Sequence, residues 1–146
     1  MAREILGFDQ APYIGALMRM GLEVARGRIL SALAEAGMED ISLTHLGLFQ
    51  YPPIDGCRPS DVAKRLNISK QALNHMLGQL EQMGYLERLT APASRQTTVR
   101  YTERGWRVLD ITITTMQRLE ADWQGQIGKR RFADFKTTLK ELLGLG

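Results

Sequence analysis

The chain has 146 residues, of which 44% are hydrophobic and 24% charged, an ordinary composition for one globular domain that buries its own core. It contains no apolar run of the roughly 18 to 20 residues that cross a bilayer, and residues 1–10 lack the basic-then-apolar order of a signal peptide, so we expect a cytoplasmic protein. Because Cys57 is the lone cysteine and His45 and His75 are the two histidines, we expect no disulfide, metal or other cofactor.

The net charge of +3 is unevenly distributed along the chain. Residues 1–41 carry four arginines against six acids, whereas residues 42–104 carry eight lysines and arginines against five acids. Residues 105–146 carry seven basic residues against five acids. Positive charge is therefore concentrated after the first helical region, which is a weak indication of a polyanionic partner.

The first predicted element is a long amphipathic helix over residues 12–36, with Gly37 as its left-handed stop. Its apolar residues recur at helical spacing: Tyr13, Leu17, Met20, Val24, Leu30 and Leu33. Ser42 is a good N-cap for a short second helix, Leu43 to Phe49. Proline cannot continue a helix, so the segment Tyr51-Pro52-Pro53 must end it.

The next segment has the pattern of a helix-turn-helix. Pro59 suits the first turn of one helix, Asn67 tolerates the left-handed turn that follows, and Ser69 is a strong N-cap for a helix from Lys70 to Met83. The expected buried residues of the two helices are Val62, Ala63, Leu66, Ala72, Leu73, Met76, Leu77, Leu80 and Met83. Ile68 in the turn can complete this shared core.

A polar stripe is left free on the second helix of this pair. It comprises Ser69, Lys70, Gln71, Asn74, His75 and Gly78. Such side chains match the donors and acceptors of base edges in the major groove, where Gln or Asn suits adenine and Lys suits guanine. The alternative is an ordinary solvated helix face, but the preceding helix and the strands that follow favour DNA binding.

A hairpin is predicted next, with strands near residues 85–89 and 98–101 around a polar tip. Arg88, Arg95, Arg100 and Arg104 are spread along it, and Thr97 adds a neutral donor. Arginine can bind phosphate in a two-pronged contact or enter a narrow minor groove. For all but the tip residue Arg95, an ion pair with Glu87, Glu103 or another acid is an equal alternative.

Thr102 can cap a long helix whose apolar residues follow a three-four spacing: Trp106, Leu109, Ile113, Met116, Trp123 and Ile127. Gly125 and Gly128 weaken the continuity of this helix, so a last helix is expected from Lys129 to Leu143. The apolar content of the terminal helices exceeds what a winged domain of about 60 residues can cover, which indicates a homodimer. The alternative is that these helices fold back onto the core of their own chain.

The residues resemble the MarR family of winged-helix regulators, named for multiple antibiotic resistance. The most specific matches are the run from Ser69 to Leu86 and the tetrapeptide Thr102-Glu-Arg-Gly at the start of the long helix. The resemblance implies six helices and a β-wing, with the first, fifth and sixth helices interlocked in a two-fold dimer. It also implies release from DNA by a small phenolic or lipophilic anion. The usual Asp-x-Arg turn of the family's wing is replaced by Ala91-Pro-Ala-Ser-Arg-Gln, so Ser94 or the backbone must orient Arg95.

We therefore expect a mainly α fold with a small β-wing, an α+β winged helix-turn-helix in one compact domain. Residues 1–41 are assigned to an N-terminal dimerisation helix, 42–104 to the DNA-binding region and 105–146 to C-terminal dimerisation helices. The expected function is sequence-specific regulation of transcription on a pseudo-palindromic operator, as a repressor released by a ligand. The alternative is a winged-helix adaptor that binds proteins and not DNA. The chain is not expected to be an enzyme, because it shows no nucleophile with a base and no phosphate loop.

A ligand crevice is predicted between the first two helices and the DNA-binding region. Its expected lining residues are Tyr13, Met20, His45, Phe49 and Tyr51, with Met18 nearby. The alternative for the Met and aromatic residues is that they simply pack in the core. The alternative for His45 is a position on the helix surface with its hydrogen bonds made. Cys57 next to Arg58 is either a redox-sensitive thiol or a small packing residue.

Overall fold

The computed structural model describes residues 8–146, so the first seven residues of the predicted N-terminal region lie outside the described part. A single 3-10 turn, Phe8–Gln10, precedes helix α1, Ile14–Glu35. Helix α2, Leu43–Leu46, is continued by a 3-10 turn, Gly47–Phe49. The predicted first and second helices are confirmed, and Gly37 has the left-handed φ of +81° expected after a helix.

The helix-turn-helix consists of α3, Pro59–Leu66, and α4, Lys70–Gln82. Asn67 adopts the left-handed conformation that the tight turn requires, with a φ of 53°. The Ser69 hydroxyl caps α4 by accepting a hydrogen bond from the Ala72 amide at 3.0 Å. Both helices and the turn are as predicted, although Ala72, which was expected in the core, is exposed in the first turn of α4.

The wing is an antiparallel hairpin of β1, Leu86–Thr90, and β2, Thr97–Tyr101. Leu86 pairs with Tyr101 at its base and Thr90 with Thr97 near its tip. The connector before α3 docks on the other edge of β2, because the Gly56 amide donates to the Val99 carbonyl and the Val99 amide donates to the Cys57 carbonyl. The segment between Pro53 and α3 therefore fastens the wing to the helix-turn-helix.

The long helix α5, Glu103–Ile127, begins at a Thr102 cap and ends at Gly128, whose φ of +90° interrupts the helix before α6, Lys129–Leu142. Gly105 in its first turn lies against the wing. A Cβ there would be 2.0 Å from the Tyr85 carbonyl oxygen, so this close approach admits only glycine. Within residues 8–146, none of the helices is long and apolar enough to cross a membrane.

The core lies between α3, α4, the hairpin, the C-terminal half of α1 and the first half of α5. Phe49 stacks on Tyr101 with ring centroids 5.4 Å apart and meets Tyr85 edge-on at 6.3 Å. The Tyr101 hydroxyl donates to the Leu48 carbonyl and accepts from the Ile54 amide. Burial raises the pKa of Tyr101 to about 12. These aromatic rings join the segment after α2 to the wing.

The predicted apolar seam of α5 is divided between two faces. Leu109 is buried, as are Val108 and Leu119, which the seam did not include. Trp106, Ile113 and Ile127 are exposed. One turn of an α-helix has 3.6 residues, so a helix this long presents apolar residues on more than one side, and only one side of α5 packs on the core of this chain.

Candidate nucleic-acid interface

The predicted polar stripe lies on one exposed face of α4. The side chains of Lys70, Gln71, Asn74 and His75 are all exposed. The opposite face holds Leu73, Met76, Leu77 and Leu80, all of them buried in the core. The helix therefore presents amides, an imidazole and an ammonium group to solvent from a rigidly packed base, which is the arrangement that reads base edges in a major groove.

The N-terminus of α4 adds donors to the same face. The Ser69 oxygen accepts the Ala72 amide, so its hydroxyl hydrogen stays available to a phosphate or a base. The first amides of an α-helix have no partner within the helix, and the helix dipole favours negative charge at this end. The predicted Ser69 and Lys70 thus lie at a helix end whose chemistry suits an anion such as a phosphate.

His45 links α2 to α4 from the interior. Its Nδ1 accepts from the Ser42 amide at 3.1 Å, and its Nε2 is 2.9 Å from the Gln79 Oε1. Since the Ser42 amide can only donate, Nδ1 is the unprotonated nitrogen and Nε2 carries the hydrogen that Gln79 accepts. Both ring nitrogens of His45 therefore have hydrogen-bond partners, as the alternative to ligand binding predicted, but the side chain is buried and not on the helix surface.

The arginines of the hairpin differ in their surroundings. Arg88 pairs with Glu81 and also lies 3.4 Å from the Asn74 Oδ1. Arg100 pairs with Asp55 at 3.2 Å. Both arginines are thus in ion pairs, as the alternative to DNA binding held, with another acid in each case and not with Glu87 or Glu103.

Arg104 belongs to a cluster that the sequence did not indicate. Its guanidinium lies 4.2 Å from the ring centroid of Tyr85, 3.3 Å from the Asp40 carboxylate and 2.6 Å from the Met83 carbonyl. Tyr85 also donates to Asp40. Burial, together with the hydrogen bond to Asp40, raises the pKa of Tyr85 to about 12. The cluster ties the turn after α1 to the base of the wing.

Arg95 lies at the tip of the wing, in the left-handed region with a φ of 55°. Its amide donates to the Ala91 carbonyl at 2.8 Å, whereas the Ser94 hydroxyl accepts from the Gln96 amide. The backbone, and not Ser94, thus sets the direction of Arg95. Its exposed guanidinium has no ion pair within residues 8–146, so it is free to bind phosphate.

Thr97 is the remaining predicted contact of the wing. Its hydroxyl oxygen lies 2.9 Å from that of Thr90, the residue directly opposite on β1. The two hydroxyls form a cross-strand pair near the tip, which stabilises the hairpin. One of the two hydroxyl hydrogens is used between them, so the other is available to a phosphate.

An open cavity of about 570 Å³ lies between α1, the segment after α2, α5 and α6. Of the residues predicted to line a ligand crevice, Phe49 and Tyr51 line this cavity, whereas Tyr13, Met20 and His45 are not among its described lining residues. The sequence did not indicate its polar lining: Arg26, Gln50, Thr112, Gln117, Glu120 and Lys136. Because these residues come from four separate segments, no local motif marks them.

Cys57 is half-buried against the core, and its backbone carbonyl accepts from Val99. The guanidinium of the neighbouring Arg58 pairs with Asp61 at 3.0 Å. This surrounding matches the packing alternative for the cysteine. Among residues 8–146 there is no cluster of three or more potential metal ligands.

These features define a winged helix-turn-helix extended by long terminal helices. No family profile matches the sequence, and a search of curated proteins gives no significant match. Solved structures show the same fold. The reduced form of MarR from E. coli has a TM-score of 0.73 and 22% identity, over 92% of this chain and 98% of that one. FabT of Streptococcus pneumoniae, in complex with DNA, has a TM-score of 0.72 and 18% identity, over 89% and 92%.

A third structure is the MarR family protein of Mycobacterium tuberculosis in complex with p-aminosalicylic acid. It is 22% identical, with a TM-score of 0.62 over 90% of this chain and 98% of the other. The chain thus has the fold of MarR-family transcriptional regulators over nearly its whole length. The predicted fold, mainly helical with a two-stranded wing, is confirmed.

Proposed function

We propose that this chain is a transcriptional regulator of the MarR type that binds double-stranded DNA in a sequence-specific manner. The observation that carries the proposal is the exposed polar face of α4, with Gln71, Asn74 and His75, beside a wing whose tip holds Arg95, which has no ion pair within residues 8–146. An adaptor that binds proteins would need apolar anchors at these positions. FabT, with the same fold, forms a complex with DNA.

The proposal includes a homodimer that binds a pseudo-palindromic operator. Exposed large apolar residues concentrate on the terminal helices: Ile14, Leu17, Met18, Leu22, Val24, Phe135, Leu142 and Leu143. Apolar surface of this kind usually marks an interface. Two α4 helices related by a two-fold axis would read half-sites about 34 Å apart.

The proposal also includes repression that a small anionic ligand relieves. The cavity is lined mainly by apolar residues. Arg26, one of its lining residues, is half-buried and has no ion pair within the described residues. The other cation of the lining, Lys136, pairs with Glu120 at 2.7 Å. A mainly apolar pocket in which Arg26 is the cation left without an ion pair among the described residues suits a lipophilic anion. p-Aminosalicylic acid, which the M. tuberculosis protein binds, is a suitable probe. It should lower DNA affinity, and Arg26→Ala should reduce that effect more than the exposed control Arg19→Ala.

The binding proposal is tested by selecting duplexes from a random pool and measuring their affinity at several salt concentrations. We expect Arg95→Ala to weaken binding to all selected sequences alike. The slope of log affinity against log salt should become shallower by about 0.9 for each phosphate that the protein no longer neutralises. Arg19→Ala is the matched control, because Arg19 is an exposed arginine outside residues 42–104, the winged segment. Failure of the wild-type protein to bind any duplex at low salt would favour the adaptor.

A further inference from the structure

We infer that Asn74 selects a keto base, guanine or thymine, and not adenine, because Arg88 holds its amide in one orientation. The inference rests on the proposed DNA-binding function and concerns the specificity of the same helix. It makes Arg88, predicted above as a DNA contact, a positioning residue. Its basis is the group formed by Asn74, Glu81 and Arg88 where α4 meets β1.

The geometry begins with Glu81. Asn74 and Glu81 are seven residues apart on α4, which places them two turns apart on one face. Arg88 reaches this face from β1, where its Nε donates to the Glu81 carboxylate and its Nη1 lies 3.4 Å from the Asn74 Oδ1. Both charged partners are about one-third exposed. A half-buried ion pair thus brings a fixed cation to the amide of Asn74.

A cation beside an amide decides which way the amide points. The carbonyl oxygen of Asn carries partial negative charge and accepts hydrogen bonds, whereas its amino group only donates. The reversed amide would direct N–H hydrogens of Asn74 at N–H hydrogens of Arg88. The oxygen therefore faces the wing, and the amino group faces away from it.

This orientation changes what Asn74 offers to DNA. Adenine is read by an amide that donates to N7 and accepts from the N6 amino group, so both ends of the amide must face the base. With Oδ1 turned toward Arg88 and the wing, Asn74 directs mainly its amino donors at the groove. Guanine offers two acceptors, N7 and O6, and thymine offers O4. Adenine offers N7 alone beside an amino group that would meet another donor, and the amino group of cytosine would do the same.

Base selection from random duplexes tests the inference. The base pair that Asn74 contacts is the one whose preference disappears in Asn74→Ala. The wild-type protein should prefer a keto base there. In Arg88→Met, which keeps the aliphatic stem but removes the guanidinium, the preference should shift toward adenine by about tenfold. Arg88→Lys, which keeps a cation, should retain the keto preference.

Arg100→Met is the matched control, because Arg100 lies on the adjacent strand and pairs with Asp55. It should leave the preference at this base pair unchanged, whatever its effect on affinity. Glu81→Gln is a second variant. It removes the negative charge that holds the Arg88 guanidinium and leaves the Arg88 side chain intact, so it should shift the preference in the same direction as Arg88→Met.

An adenine preference in the wild-type protein would overturn the inference, and so would an unchanged preference in both Arg88→Met and Glu81→Gln. Equal weakening on every sequence in Arg88→Met, without a shift, would assign Arg88 to phosphate and also overturn it. The absence of binding to any duplex would overturn the proposed function itself, and the inference with it.

Discussion

The winged segment and the terminal helices contain apolar residues of the same kinds but bury them to different extents. In the winged segment Leu73, Leu77 and Val99 are at most 1% exposed. In the terminal helices Ile14 is 69% exposed and Leu142 is 79% exposed. The interior of the winged segment is therefore filled within this chain, with α1 and α5 contributing to it, whereas the exposed apolar residues of the terminal helices have no such cover within residues 8–146.

The same contrast holds for polar groups. Within the winged segment and at its margins, partners far apart in sequence hold each other, as Tyr85 and Asp40 do across 45 residues. At the first helix the ion pair between Arg19 and Glu23 is local and exposed. The polar contacts of the winged segment thus include half-buried ones, whereas the two long-range ion pairs among the terminal helices, Arg28 with Asp122 and Lys136 with Glu120, are exposed.

The largest expected effect is on the interior of the winged segment. Leu77→Ala should lower the free energy of unfolding by about 2 to 5 kcal/mol, because it leaves a cavity in a side-chain site that is 0% exposed. Urea unfolding measures the change. Leu43→Ala, the same substitution at a residue that is 54% exposed, should cost less than about 0.5 kcal/mol. Equal losses of stability in the two variants would contradict the difference in burial between Leu77 and Leu43.

The second prediction concerns the terminal helices. Ile14→Glu combined with Leu17→Glu should raise the dimer dissociation constant at least about 100-fold, because the partner would have to bury two charges. Sedimentation measures the association, and circular dichroism checks that helix content is kept. Leu43→Glu, at a similarly exposed leucine in α2, is the control and should leave association unchanged. A wild-type monomer would contradict the proposed dimer.

The fold could be predicted because its signals are local. Gly37 after α1, Asn67 in the turn and Ser69 at the start of α4 each act within a few residues, and the structure has them in the expected conformations. The exposed stripe on α4 followed from the same helical spacing. These features depend on propensity and periodicity, which a sequence displays directly.

The connections within the site could not be predicted in the same way. The pairs of Arg88 with Glu81 and of Arg104 with Asp40 depend on how the wing and α5 pack, and the sequence contains many acids at similar distances. The polar lining of the cavity comes from helices that meet only in the folded chain. Tertiary packing decides such contacts, so a single sequence leaves them open.

The third prediction is a fall in stability at alkaline pH. The pKa of Tyr101 is raised from 10.0 to about 12 in the folded protein, so folding favours its neutral hydroxyl. This contribution is complete below pH 10 and is lost as the pH rises toward 12, at up to about 1.4 kcal/mol for each pH unit. Tyr85, raised to about 12 for similar reasons, adds to the same loss.

Urea unfolding curves, recorded at roughly every pH unit between pH 8 and pH 12, measure this loss of stability. Tyr101→Phe should be less stable than the wild-type protein at neutral pH, because the Ile54 amide loses its partner, but should lose stability less steeply above pH 10. Tyr51→Phe, at a residue that is 87% exposed, should follow the wild-type curve. Identical slopes in all three proteins would show that Tyr101 does not titrate as described.

The smallest expected effect is at the ion pair that joins the first terminal helix to α5. Arg28 lies 2.6 Å from Asp122, but the two side chains are 39% and 56% exposed, so water screens much of their attraction. Arg28→Ala should therefore cost less than about 1 kcal/mol, and a double-mutant cycle with Asp122→Ala isolates the pair. If the coupling instead exceeded about 2 kcal/mol, charge and not apolar contact would hold α1 to α5. The contrast between the polar-linked winged segment and the apolar terminal helices would then have to be abandoned.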